Sequence, residues 1–364
     1  MNIFNKTETQ LEAVNARSIT LLRSFVGYLV EYSYFTTASF FLSILILFKE
    51  GFDTVHAHNP PDTIFLWAFF YKLFGKKFVF DHHDLSPEMY LARYKKKKDV
   101  IYRCLLFAEK LTCRLADRVI ATNNSYKQIV IRRNGINPEK IYVVRNGPDL
   151  NRVILHSPEP KLKAINKTII GYVGNLNPQD GVDYLLRALY YLKNHRGRND
   201  FLAILIGRGD DLLNLKKLSS ELDLVENIMF TGFISDKDML RYLSTADICV
   251  SPDPYNYFTN NSTWVKVLEY MALGKPIVAF DLKETRYSAQ EAALYARPND
   301  ECDFAKAIEK LMDSPDLREK MGEYGWNRIK NELSWDHVSK NLLSAYSFLE
   351  KTRKGTSKNI FHEQ

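Results

Sequence analysis

Short runs rich in β-branched and aromatic residues alternate with longer amphipathic stretches from about residue 54 to residue 300. That rhythm predicts a parallel sheet covered by helices, and so an α/β chain. In the first half the strand candidates are residues 54–57, 77–80, 118–121 and 141–144, with helices at 63–74, 101–115 and 125–133. In the second half 169–173, 203–206, 228–230, 248–250 and 276–279 repeat the pattern, each followed by a turn and a helix. Two sheets imply two domains. Residues 151–167, with Pro158 and Pro160 and no periodicity, read as the linker between them. The expected division is a first domain over 1–152, a second over 153–335, a helix over 336–350 that packs back on the first domain, and a disordered polar tail over 351–364. Gly27 is the sole glycine before residue 50, and the pattern there is helical, so the first domain is expected to lack its usual leading strands.

Composition adds that this is a globular chain: 364 residues with 46% hydrophobic, 26% charged and 13% aromatic content can fill two cores. Cys104, Cys113, Cys249 and Cys302 have neither disulfide-framework nor metal-site spacing, which predicts buried free thiols and a reducing, cytoplasmic setting. The net charge of +7 is uneven: residues 1–150 carry 21 Lys and Arg against 14 Asp and Glu, and the remainder 29 against 29. An anionic partner surface is therefore expected on the first half, with the run Arg93 to Lys98 (RYKKKK) as its sharpest source. That run reads either as a solvated loop or as a contact for anionic lipid or an acceptor phosphate; nucleic acid is not an expected partner. The apolar stretch 36–48 has 13 residues, short of the roughly 20 a spanning helix needs, and reads as a packed helix. Lys6, Glu8, Glu12 and Arg17 argue against a secretory signal.

In sheets of this kind ligands bind beyond the carboxyl ends of the strands. The strand at 54–57 runs into His58-Asn59-Pro60-Pro61-Asp62, and that at 77–80 into Asp81-His82-His83-Asp84 with Glu88 close behind. The DHHD run turns too sharply for one segment to offer three convergent ligands, so no metal is expected. Two readings stand. In one, His83 offers a hydrogen bond to a sugar or acceptor hydroxyl, with His58, Asn59, Asp84 and Glu88 on the acceptor side. In the other, Asp81 and Asp84 cap the next helix and the histidines pack, His82 first among them. In the second half the turn from Gly174-Asn175 to Asp180-Gly181 feeds a helix and offers N–H groups to an anion. Arg208, in a similar turn, is a phosphate candidate. Asn260, Asn261, Ser262 and Thr263 read as the N-cap region of a helix that carries Lys266 and Glu269. N–H groups at 262–264 are placed to hold a diphosphate, and Glu269 reads either as an acceptor for both ribose hydroxyls or as a surface residue, with Leu268, Met271 and Ala272 favouring burial.

The stretch LEYMALGKPIVAFD resembles the end of the signature of the family 4 glycosyltransferases, in which two glutamates eight positions apart grip the donor sugar and its ribose. The likeness runs from about residue 54 to 350 and takes in VFDHHDLSPE, VVRNGPD and FTGFIS. It implies two facing Rossmann-like domains (the GT-B arrangement), a nucleoside diphosphate sugar donor, transfer with retention, and no metal or other cofactor. Position by position, Glu269 matches the ribose-binding glutamate and His83 the histidine that lines the sugar site. Asn261 stands where the first glutamate is usual, and Asn175 and Asp180 where an arginine and a lysine usually neutralise the diphosphate. The resemblance thus implies His83 and Asn261 as the catalytic pair, and Glu269, Gly174, Asn175, Arg208, Ser262, Thr263 and Lys266 as the donor-binding set. It implies a saccharide or lipid-linked acceptor in cell-surface polysaccharide or glycolipid assembly, and a cytoplasmic protein in peripheral contact with the inner membrane face. The departures keep two alternatives open: an inactive sugar-nucleotide-binding protein, and a sugar-nucleotide epimerase of the same architecture.

Overall fold

The computed structural model describes residues 25–358. The first domain opens on α1 (Phe25–Lys49) and continues through β1 (Thr54–His58), α2 (Phe65–Leu73), β2 (Lys77–His82), α3 (Ser86–Tyr94), α4 (Val100–Leu115), β3 (Arg118–Ala121), α5 (Asn124–Asn134) and β4 (Ile141–Val143). Its strands pair in parallel in the order β1-β2-β3-β4. Strand alternation sorts the side chains: Phe78 and Phe80 enter a core shared with Tyr71, Cys113 and Val130, while Val79 and Ile120 face the opposite side. Among the described residues no strand precedes β1.

The 151–167 segment holds a short helix, α6 (Pro160–Lys163), before the second domain begins. That domain runs β5 (Thr168–Val173), α7 (Val182–Arg196), β6 (Phe201–Ile206), α8 (Leu212–Glu221), β7 (Ile228–Gly232), α9 (Asp236–Thr245), β8 (Ile248–Ser251), α10 (Tyr257–Asn261), α11 (Val265–Ala272), β9 (Ile277–Phe280), α12 (Lys283–Ala289), β10 (Ala293–Ala296), α13 (Glu301–Met312) and α14 (Pro315–Arg328). The parallel sheet has the order β10-β9-β8-β5-β6-β7, so its direction of growth reverses between β5 and β8. Cores fill both faces: Ile170, Tyr172 and Leu205 pack on the α7 side, Ile169, Ile204 and Ile206 on the α11 side. Helix α3 and strand β10 have no counterpart in the sequence reading.

A last helix, α15 (Trp335–Lys358), returns to the first domain. Leu342 and Tyr346 cover Val79, Ile120 and Val144, and Asn341 Nδ2 donates to the Val143 carbonyl at 2.9 Å. The entry to this helix is pinned as well: the Trp335 N–H donates to the Pro148 carbonyl at 3.0 Å. It runs into the stretch read as a tail, as far as Lys358; residues 359–364 lie outside the described residues, as do Lys6, Glu8, Glu12 and Arg17.

Two expectations need correction. Cys113 and Cys249 are buried free thiols, but Cys104 and Cys302 are exposed, because each lies on the outward side of its helix. The 36–48 stretch is only half packed. Phe40, Ile44 and Leu47 of α1 pack on the first core, with Phe40 edge-on to Phe70 at 5.4 Å, whereas Phe41, Leu42, Leu45 and Phe48 are exposed. Val30–Lys49 is long and apolar enough, by length and composition, to cross a membrane.

Candidate functional site

The reversal between β5 and β8 makes a crevice at the carboxyl ends of those strands, walled by the turns that follow them. Glycine is required there. Gly174 and Gly207 have φ of 155° and 143°, and a side-chain carbon on Gly207 would overlap the Gly174 carbonyl. Gly181, with φ of 72°, stands equally close to the Pro252 carbonyl. The Leu176 N–H donates to the Arg208 carbonyl at 3.0 Å, so the turns after β5 and β6 form one wall. Arg208 projects from it, exposed, its guanidinium 4.9 Å from the Phe233 ring centre. Asn175 is exposed at its crest.

Beneath this wall lies a buried charge cluster. Lys266 Nζ donates to Asp253 Oδ1 at 2.7 Å, with 9% and 0% of the two side chains exposed. The ammonium lies 5.0 Å from the ring centres of both Tyr172 and Trp264. Asp253 also accepts from Ser251 Oγ at 2.5 Å. Burial pushes the neighbouring Asp180 up to about 6; Lys266 pulls against that shift and Asp253 adds to it. The charge of Lys266 is thus matched by Asp253.

The helix expected to start at 260–263 is two helices. Asn256 caps the single turn α10 in a capping box, its Oδ1 accepting from the Thr259 N–H at 3.0 Å, and α11 then starts after Trp264 with no side-chain cap. Asn261 Nδ2 donates back to the Tyr257 carbonyl at 2.7 Å. The Ser262 and Tyr126 hydroxyls are 2.9 Å apart, and Thr263 Oγ1 accepts from Asn123 Nδ2 at 3.0 Å. Both residues therefore sit in the seam between the domains rather than around an open anion cradle.

Glu269 is buried, as its neighbours foretell, with 8% exposure. Its Oε1 accepts from Arg152 Nη1 at 3.0 Å, and Arg152 also grips Asp236 with Nε at 3.0 Å and Nη2 at 2.7 Å. Burial pushes the Glu269 carboxyl up, and Arg152 pulls it back. Arg152 lies in the linker, where neither motif nor periodicity marks it.

Across the cleft, the loops after β1 and β2 are braced by Asn59. Its Oδ1 accepts from the His83 and Asp84 N–H groups at 2.8 and 3.2 Å, and its Nδ2 donates to the Asp84 carbonyl at 2.7 Å and Asp62 Oδ1 at 3.0 Å. At 1% exposure Asn59 is a support, not an acceptor contact. Glu88 is corrected likewise: it is 6% exposed and gripped by Arg133 Nη2 and Nη1 at 2.6 and 3.2 Å. Arg133 also binds Glu109 at 3.0 Å, and Glu109 lies 3.6 Å from the fully buried His82. Neither Asp81 nor Asp84 caps α3, whose N-cap is Leu85 with no side-chain bond.

His83 directly follows β2. It is half-buried, with its ring edge-on to the exposed His58 at 5.8 Å between centres. Its Nε2 is 3.1 Å from Asp81 Oδ2, and that bond raises the His83 pKa. Burial would raise Asp81, yet His56 and His83 outweigh it and hold the carboxyl at about 2. Burial also raises Asp84. His83 is thereby biased toward imidazolium, a hydrogen-bond donor with positive charge.

Two arginines also cross the seam. Arg145, after β4, donates from Nη2 to Glu284 Oε2 at 2.9 Å, and its guanidinium lies 4.1 Å from the Tyr287 ring centre. Ser125 Oγ donates to Glu284 Oε1 at 2.6 Å. Further along, Arg93 Nη2 meets Asp210 Oδ2 at 2.6 Å. Arg145 stands in VVRNGPD and is visible in the sequence, but the partner that makes it matter is 139 positions away. Among the described residues there is no group of three or more His, Cys, Asp or Glu placed to hold a metal ion.

Comparison with known proteins agrees with this architecture. Residues 156–328 match the family of glycosyl transferases group 1, and residues 6–152 match glycosyltransferase family 4. The alpha-maltose-1-phosphate synthase of Mycolicibacterium smegmatis is 25% identical over 303 residues, 75% of this chain and 73% of the relative. A UDP-Gal:alpha-D-GlcNAc-diphosphoundecaprenol alpha-1,3-galactosyltransferase of Escherichia coli is 25% identical over 245 residues, 65% of this chain and 60% of the relative. Among solved structures, Anabaena HepE in complex with UDP-glucose superposes with a TM-score of 0.65 at 18% identity, covering 85% of this chain and 81% of that one.

Proposed function

The chain belongs to the family 4 glycosyltransferases, matched across both of its domains, and from that premise we propose that it moves a sugar from a nucleoside diphosphate sugar to a hydroxyl acceptor with retention of anomeric configuration. The observation that carries the reading is the pairing of two strand-end surfaces across one cleft. The second sheet offers a glycine-walled crevice, with Arg208 in the turn after β6 and Glu269 on α11; the first offers His83 after β2 and His58 at the end of β1. In this reading the diphosphate lies along the turn at 174–181, Glu269 takes the ribose hydroxyls, and His83 donates to the sugar. Retention comes from the departing phosphate assisting the incoming hydroxyl, so the crevice serves chiefly to stabilise charge growing on that phosphate.

The carboxylates near the crevice are engaged, Asp253 by Lys266 and Glu269 by Arg152, which supports a reaction without a divalent ion. HepE bound to UDP-glucose makes UDP-sugars the first donors to test, and the E. coli relative makes lipid-linked sugar diphosphates the first acceptors. Incubating the chain with UDP-sugars and acceptor in EDTA, with the product anomer read by NMR, tests the proposal. Acceptor-dependent turnover to a retained anomer is the expected result. An inverted anomer, or activity that returns only with added Mg²⁺, contradicts it; nucleotide binding without turnover points to an inactive binding protein, and an altered sugar nucleotide without acceptor to an epimerase.

Peripheral attachment to an anionic membrane follows from the exposed Lys95, Lys96, Lys97 and Lys98 and the apolar outer face of α1. Each such lysine contributes about 1 kcal/mol near an anionic leaflet. Salt-sensitive cosedimentation with anionic liposomes, lost when all four become Gln, is the expected outcome; equal binding by both proteins, or none by either, rejects it.

A further inference from the structure

An open cavity of about 580 Å³ lies at the surface of the first domain, apart from the crevice of the second. Its walls are Thr37 of α1, Leu66 of α2, Met89 of α3, and Leu105 and Ala108 of α4, with Pro61 at one end. That volume falls within the range of roughly 300–1,000 Å³ typical of sites for small organic ligands. Most of its accessible lining is apolar, with Thr and Ser hydroxyls among it, so it favours hydrocarbon over sugar.

The two ends of the cavity differ. Leu66 belongs to its wall and is itself exposed, as are Phe41 and Leu45 of α1 and Phe69 of α2. At the other end Arg93 and Tyr94 line both this cavity and a pocket between the domains that is also bounded by Lys95, Asp211 and the Arg187–Asp183 ion pair. Arg93 already binds one oxyanion there, the Asp210 carboxylate. The cavity also touches Asp62 and Ser86, both held by the same Asn59 that braces His83. A groove that is apolar along its walls and carries the Arg93 and Lys95 side chains where it meets the cleft complements an amphiphile with a hydrocarbon chain and a phosphorylated head.

We propose that this cavity receives the hydrocarbon chain of a lipid phosphate or diphosphate acceptor. The phosphate lies by Arg93 and Lys95, and the attached sugar reaches into the cleft toward His83. The acceptor role rests on the glycosyl-transfer reading above; chain binding itself does not, and can be tested without turnover. The chain enters from a membrane resting on the outer faces of α1 and α2.

Two exposed cysteines supply the test, because Cys104 lines the cavity whereas Cys302 lies on α13 of the second domain. The full chain is treated with a maleimide, with and without farnesyl monophosphate, and modification at each cysteine is followed by peptide mass spectrometry. Farnesyl monophosphate should slow Cys104 several-fold and leave Cys302 unchanged, and inorganic phosphate should protect neither. Ala108→Phe, which fills the cavity, should weaken farnesyl monophosphate binding in calorimetry at least about tenfold, equivalent to 1.4 kcal/mol. Phe41→Ser, on the outer face, should leave that binding intact. No slowing at Cys104, equal slowing at both cysteines, or binding that survives Ala108→Phe overturns the proposal. Failure of UDP-sugar turnover with Cys104 protection intact counts against the transferase reading instead.

Discussion

Replacing Lys266 with methionine tests whether the buried charges of the donor crevice are a matched pair. Methionine keeps most of the length and apolar stem of lysine, so the change removes charge with little change of volume. Asp253 keeps its 2.5 Å bond from Ser251 but loses the ammonium at 2.7 Å, and at 0% exposure it has no water to replace it. Removing one partner of a buried ion pair costs about 3–5 kcal/mol, because the survivor is left desolvated and uncompensated. The 9% exposure of Lys266 means the crevice side admits some water, which favours the lower end, about 3 kcal/mol. In a domain of this size each kcal/mol moves the melting midpoint by about 2–4 °C, so a fall of about 6–12 °C is expected. Adding Asp253→Asn to Lys266→Met removes the stranded charge and should restore most of the loss. Calorimetric melting of the wild type, both single variants and the double variant checks this, with UDP titration alongside. The double variant should regain stability without regaining nucleotide affinity, since the cation near the diphosphate is still missing. A single variant that loses less than about 1 kcal/mol, the scale of a surface pair, or a double variant as unstable as Lys266→Met alone, would refute the reasoning.

Glu269→Ala should weaken nucleotide binding by about 1.5–3 kcal/mol, the worth of a hydrogen bond to a charged group, and calorimetric affinities unchanged for every nucleotide that binds would remove Glu269 from the site. Asp180 titrates at about 6 when folded against an ordinary 3.8, so its contribution to stability is fully present below about pH 4 and is lost as pH rises through 6. Asp180→Asn should therefore stabilise the chain above pH 6 and flatten that part of the stability profile; urea midpoints of both proteins across this window decide the matter, and parallel profiles reject it. Asn59→Ala strips the acceptor from two N–H groups and should cost about 2–3 kcal/mol. Amide exchange at His83 and Asp84 should speed up in that variant, and protection equal to wild type would show that Asn59 is not their brace.

Periodicity located the strands because parallel strands buried on both faces are short continuous apolar runs, and nine of the ten strands in the structure are read from such runs. Strand β10, Ala293–Ala296, is a short apolar run too, but its alanines carry little β preference and it went unread. Helix α3 escaped because Pro87 and the basic residues after it look like a loop, although proline suits the first turn of a helix. The burial of Glu269 was legible from the apolar residues beside it. The commitment of its carboxylate to Arg152 was not, since that contact spans 117 positions. Asn59 and Glu88 were misassigned for one reason: polar residues at strand ends serve as ligand contacts or as struts, and only the fold shows that Asn59 faces backbone N–H groups and Glu88 faces Arg133.

The return of α15 to the first sheet bears on how this chain can be recombined with others. An acceptor domain exchanged by a single crossover in the 151–167 segment would leave Val79, Ile120 and Val144 facing a foreign helix, and would separate Asn341 from the Val143 carbonyl. The transplantable unit is therefore discontinuous: residues up to the linker together with the helix that begins at Trp335, lifted as one piece by two crossovers, with the second domain as an insert between them. Because Arg145 and Glu284 lie on opposite sides of the first cut, a graft that exchanges one of them must bring the other along. Chimeras should be designed around those two cuts and the pairs that span the first of them, Arg93–Asp210 among them.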